Sequence, residues 1–139
     1  MGLPKKNFGG HLKRVVIESP LRGDYEMHLF YARLCIWDSL IRGEAPYASH
    51  VLFHHEDLLD DNDIIGRILG MEVGSVWSAA GDLRAFYIDL GISQGMIAAK
   101  DEAERLGQPY VLRTLEPDLM KEFDEKYPFS KRLRLGTAE

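Results

Sequence analysis

The chain has 139 residues, 45% of them hydrophobic and 28% charged, with a formal net charge of −5. That length suits one domain with a sizeable core, and the acidic balance argues against a general nucleic-acid binder. The single cysteine, Cys35, excludes an intrachain disulfide framework and fits a reducing, cytoplasmic setting, while the lack of a run of about 18 apolar residues argues against a membrane span.

In chain order, residues 1–13 read as a loose basic leader. It lacks the apolar core of a secretory signal, and Lys6 stands where myristoylation of Gly2 requires Ser or Thr. Residues 14–127 then read as one domain. "RVVIES" (14–19) is a short β-branched run suited to a strand buried on both faces. Asp24 can cap a helix in which Met27, Phe30, Tyr31, Leu34, Trp37, Leu40 and Ile41 recur at helical steps, with Gly43 closing it. "YASHVLF" (47–53) predicts a second strand or an extended run into the polar loop "HHEDLLDDND" (54–63). Ile65, Ile68, Leu69, Val73, Val76 and Trp77 predict a helix over 64–80. "DLRAFYID" (82–89) reads as a central strand, 94–106 as a helix stopped by Gly107, and "PYVLRTL" (109–115) as a further strand. Pro117 opens a last helix over 116–127, and the tail 128–139 has no clear period. Strands alternating with helices predict an α/β fold, a flavodoxin-like or Rossmann-like three-layer sandwich with a parallel sheet. In such sheets ligands bind beyond the carboxyl ends of the strands, where turns lead into helices.

Two such turns carry chemistry. In "ESPLRGD" (18–24), Ser19 offers a hydroxyl, Arg22 a forked cation, and Gly23 a backbone that can approach closely, all beside a helix start. That set suits a phosphate; the plainer alternative is a turn with Arg22 as a solvated charge. In "GISQGM" (91–96), Ser93 and Gly95 open a helix, where Ser93 can donate to an anion or simply cap. No Walker or dinucleotide fingerprint is present, and no cofactor is expected.

Ser-Pro-x-Arg-Gly after a first strand, followed by Gly-Ile-Ser-x-Gly-Met and "AERLGQP" before a later strand, resembles the nucleoside 2-deoxyribosyltransferase-like superfamily. The likeness runs from about Val15 to Leu112 and points to a branch of bacterial and phage proteins. It implies cleavage or transfer of the base–sugar bond of a nucleoside or its 5′-monophosphate through an oxocarbenium-like transition state. It implies that Ser19, Arg22, Gly23, Ser93 and Gly95 hold the phosphate, and that a homodimer or larger homo-oligomer forms, with a neighbouring chain completing the pocket. The tail 128–139 is a candidate for that interface. The family nucleophile is a glutamate eight residues before the glycine of Gly-x-Pro; counting back from Gly107 gives Ala99. A methyl group cannot attack C1′. Either a glutamate has been deliberately exchanged for Ala99 in an otherwise kept motif, leaving an inactivated enzyme, or the chain naturally binds a nucleotide without cleaving it, as a sensor or sponge; a third reading keeps only the scaffold. Gly74 falls where the monophosphate glycosidases carry an aspartate, which makes nearby Glu72 the candidate second acid.

His50, His54, His55, Glu56 and Asp57 match no zinc spacing, and no metal is expected. His50 and His54 are instead candidates to contact the base, as are Pro20 and Tyr25. Asp89, at the end of the central strand, is a candidate for sugar hydroxyls or an exocyclic amine, the alternative being a turn residue. Cys35 reads as buried and inert.

Overall fold

A computed structural model of the chain describes residues 11–53, 58–60 and 62–135. Strand β1 (Arg14–Glu18) ends where Pro20, without an N–H, cannot extend a ladder. Helix α1 (Tyr25–Ile41) begins at Asp24, whose carboxylate accepts from the Met27 N–H at 3.1 Å, and the chain leaves it through Gly43 at φ 80°. Strand β2 (Ala45–Tyr47), the single turn α2 (Ser49–Leu52) and helix α3 (Ile64–Ala79) follow. Strand β3 (Leu83–Tyr87), helix α4 (Gln94–Leu106), strand β4 (Tyr110–Arg113) and helices α5 (Pro117–Lys126) and α6 (Phe129–Leu135) complete the order.

All four strands are parallel, in the order β2-β1-β3-β4, with helices on both faces of the sheet. This is the three-layer α/β sandwich expected from the alternation of elements, and the order matches the start of the flavodoxin-like 2-1-3-4-5 arrangement. Because side chains alternate along a strand, the two faces differ. Val15, Ile17, Ala85 and Tyr87 face one way and pack with Met27, Tyr31, Leu34 and Cys35 of α1 and Leu119 and Phe123 of α5. Val16, Glu18 and Arg84 face the other way, toward α3 and α4; Arg84 bonds the Ala99 carbonyl and the Glu102 carboxylate of α4. The α1 side is also locked by polar groups: buried Asp38 accepts from the Tyr87 hydroxyl (2.7 Å), Arg42 (2.8 Å) and the Glu116 N–H (3.0 Å).

One expectation is corrected and two features are new. The run 47–53 is not a strand: β2 ends at Tyr47, paired to Val16, and Ser49–Leu52 turns helically. Beyond that pair β1 continues only through Ile17 and Glu18 before Pro20, so a strand reaching residue 53 would outrun its partner. The tail contains α6, fixed by non-local contacts rather than by an apolar stripe: Arg132 pairs with Asp124 at 2.7 Å and lies over the Phe123 ring. Finally, the apolar stripe of α3 does not face the core. Ile65 and Trp77 are 72% and 60% exposed, and Ile64, Ile68, Leu69, Met71 and Val76 are exposed too. The buried face is Gly66, Gly70, Gly74 and Ser78. A Cβ on Gly66 would sit 2.8 Å from the Asp60 backbone carbonyl oxygen, so only glycine permits the approach there, and one on Gly74 would crowd the Ser49 Oγ at 3.1 Å. Among the described residues no helix is long and apolar enough to cross a membrane.

Candidate functional site

Strand order reverses between β1 and β3, so the turns leaving their carboxyl ends diverge and open a crevice. The β1 turn carries Ser19 and Arg22; the β3 turn carries Ser93 and Gly95. All four line one pocket of about 170 Å³, together with His50 and Glu18. The turn is fixed from below: the Leu21 carbonyl accepts from Nδ1 of buried His28 at 3.1 Å, which makes Nδ1 the protonated nitrogen. Ser19 Oγ lies 2.7 Å from His50 Nε2. When His50 donates there, the Ser19 hydroxyl proton is released toward the pocket. Ser93 caps α4 by accepting from the Met96 N–H at 3.3 Å, and its own proton remains to be donated. Capping and anion binding are therefore compatible roles. Arg22 is exposed and makes no ion pair or hydrogen bond among the described residues.

The pocket shares Glu18, Leu21, Arg22, Ser49 and Gly95 with a longer cleft of about 350 Å³ between α3 and α4. One wall is the stripe Arg67, Gly70, Gly74, Ser75 and Ser78; the other is Gly95, Ala98, Ala99, Glu102 and Arg105. Both follow three- and four-residue steps, the signature of facing helices. A larger hollow of about 650 Å³ at the opposite end of the sheet surrounds Arg14 and Asp82, which pair with each other at 3.0 Å.

Under the cleft lies a buried ionic group. The Arg84 guanidinium, essentially inaccessible, donates to Gln108 Oε1 at 2.6 Å, to the Ala99 carbonyl at 3.2 Å and to Glu102, and stands 4.0 Å from Glu18 Oε1. The two carboxylates are shifted in opposite directions. Burial pushes Glu102 up, but the Arg84 guanidinium and the Ser75 hydroxyl at 3.0 Å outweigh it and hold the group below its ordinary range. Burial pushes Glu18 up to about 7; Arg84 only partly offsets this and the Glu102 charge adds to it. The buried Tyr47 hydroxyl has no partner among the described residues, and it is shifted up by burial and then by Glu18.

Other expected residues are placed as follows. Ala99 lines the cleft, half-buried, with its methyl where the resemblance puts a nucleophile. Gly23, at φ 92°, shapes the β1 turn without lining the pocket, and buried Pro20 likewise does not line it. Glu72 is not at the cleft. It is exposed and two residues, about 200° of helix, from Gly74, which does face it. Asp89 is turned to the α1 side, where it accepts from the Tyr31 hydroxyl at 2.6 Å and from the Leu115 N–H at 3.0 Å, so it serves the core and the β4–α5 connection. Tyr25 sits exposed at the start of α1, outside both pockets. His54, with His55, Glu56 and Asp57, lies outside the described residues. Among the described residues no cluster of His, Cys, Asp and Glu has the form of a metal site.

The match of a family model to residues 13–113 extends from β1 through β4 and so includes both turns and both cleft walls. The chain belongs to this family, Domain of unknown function (DUF7768). No curated protein and no solved structure matches it. Within the family segment, sequence reading overlooked Glu18, Arg84, Arg67 and Arg105. Glu18 was visible as a charge closing an apolar strand run, and Arg84 as a charge inside one; a charge at such a place signals a buried pair. Arg67 and Arg105 carry no local signal, because only the facing of two helices brings them together.

Proposed function

We propose that the chain binds a nucleoside 5′-monophosphate or a close relative and acts on its base–sugar bond as an N-glycosidase. The phosphate lies between the β1 and β3 turns and the nucleoside along the α3–α4 cleft. The observation that carries this reading is the convergence of Ser19, Arg22, Ser93 and Gly95, from two sequence-distant turns, on one small pocket that shares its walls with a cleft of nucleoside size. The rim arginines Arg67 and Arg105 add positive potential to a chain of net charge −5, as an anionic ligand requires.

Ala99 favours hydrolysis over 2-deoxyribosyl transfer. Transfer holds the sugar covalently until a second base arrives, and position 99 offers no atom for that bond. A non-catalytic nucleotide sensor or sponge is the second reading, favoured by the same methyl group. The deciding experiment mixes this chain and its Ala99→Glu variant with a panel of ribo- and deoxyribonucleoside monophosphates and measures free base by chromatography. Base release supports the glycosidase; binding without release by either protein supports the sponge; absence of binding rejects both.

Self-association belongs to the same proposal. The outward face of α3, with Ile65, Ile68, Leu69 and Trp77, is a contiguous apolar patch of the kind that marks an interface. Its helix is also a wall of the cleft, so a second copy seated there would brace that wall from its far side. A cytoplasmic setting is part of the proposal and agrees with Cys35 being a buried free thiol.

A further inference from the structure

The cleft lacks a carboxylate at position 99 yet contains two others, and their surroundings set them apart. Glu102 has both oxygens engaged, one by Arg84 and one by Ser75. It is a fixed negative charge and has no proton to give. Glu18 has no hydrogen bond among the described residues, and its side chain is 19% exposed where it meets the two pockets. It sits at the carboxyl end of β1, at the junction of the phosphate pocket and the nucleoside cleft, and Arg84 approaches it no closer than 4.0 Å. Ala99 lines the same cleft and leaves the junction open to Glu18.

We propose that Glu18 is the catalytic acid and base of this chain, working alone where relatives of the resembled type use a nucleophile on the α4 helix. The inference rests on the nucleotide reading above. In the first half-reaction the C1′–N bond breaks, its electron pair goes to the base, and the Glu18 carboxyl donates its proton to the leaving nitrogen. The Glu18 carboxylate so formed faces the oxocarbenium ion. Water adds to C1′, and its proton returns to Glu18, restoring the acid. The balance is nucleotide plus water giving free base plus sugar 5-phosphate. No glycosyl–enzyme bond forms at any stage. A protonation equilibrium near neutral pH suits a group that must both give and take a proton. Pairs of carboxyls driven to opposite states are how a site divides such roles; here Glu102 compensates Arg84 and Glu18 is left to react.

The test uses the whole chain and its Glu18→Gln variant with the deoxy- and ribonucleoside 5′-monophosphates. Binding is followed by calorimetry and base release by chromatography. The expected result is monophosphate binding that persists at equal or tighter affinity, a loss of base release of about 100-fold or more as for other general acids, and a wild-type rate that falls above about pH 7. Labelled free base added to the reaction should not enter the nucleotide pool, since no covalent intermediate exists to trap it. Equal base release by both proteins, or base exchange in the wild type, overturns the role of Glu18. Monophosphate binding with no release by the wild type also overturns it while leaving the binding site standing. Failure to bind at all removes the nucleotide reading itself, so the two failures are told apart.

Discussion

Glu18→Gln offers a test of the site that needs no ligand. Glutamine copies the shape and neutrality of a protonated glutamic acid, so the variant differs from the parent chiefly where Glu18 is ionised. The carboxyl titrates at 4.5 when free and at about 7 in the fold, with burial the largest cause. An acid whose folded value is raised contributes stability that is fully present below 4.5 and lost as pH rises through about 7, because the native state binds the extra proton between those limits. At 1.36 kcal/mol per pH unit, the interval from 4.5 to about 7 corresponds to at most about 3 kcal/mol, less what water in the cleft restores. Urea unfolding of both proteins at pH 5, 6, 7 and 8 reads this directly. Groups other than Glu18 titrate in both proteins and cancel in the difference. The variant should lie within about 1 kcal/mol of the parent at pH 5 and exceed it by about 1.5–3 kcal/mol at pH 8. Parallel curves, or a parent more stable at pH 8, would show that Arg84 outweighs burial and that Glu18 is an ordinary ionised carboxylate.

Arg22→Ala should weaken monophosphate binding by about 1.5–3 kcal/mol, the worth of a charged hydrogen bond, without altering nucleoside binding; calorimetry with both ligands checks it. Asp38→Ala strands the Tyr87 hydroxyl and the Glu116 N–H in the interior and should cost about 3 kcal/mol in denaturant unfolding, against little change for an exposed acid such as Asp101. Gly81→Ala places a Cβ 2.5 Å from Val16 Cγ2, and the resulting overpacking should lower stability by about 1–3 kcal/mol, visible as a reduced Tm. Ile68→Glu on the exposed face of α3 should convert an assembled protein to monomer in light scattering while leaving the far-ultraviolet circular dichroism unchanged; an unaltered mass would place the interface elsewhere.

Local chemistry made much of the fold legible. Asp24 and Ser93 announce helix starts because a short polar side chain accepts a backbone N–H, and Gly107 announces an end because it takes the left-handed conformation at φ 65°. The parallel sheet follows from alternation, and the phosphate-pocket candidates follow from turns at strand ends. The α3 helix shows where this legibility stops. Its apolar stripe fixes the helix, but which stripe is buried depends on how closely Ser49 and Asp60 approach, and that closeness selects the glycine face. Glu72 was misplaced for the same reason, since facing is a property of two elements together.

By itself the sequence determined most of the elements, their alternation and the two turns that meet above the sheet, because caps, glycines and periodicity act within a few residues. Only the tertiary structure decided that the two cleft carboxylates are shifted in opposite directions, Glu18 upward and Glu102 downward. Glu18 acquires its character from burial and from Arg84 and Glu102, which lie far along the chain on a neighbouring strand and a covering helix. Electrostatic environment is set by what surrounds a group in space, and no local pattern around residue 18 encodes it.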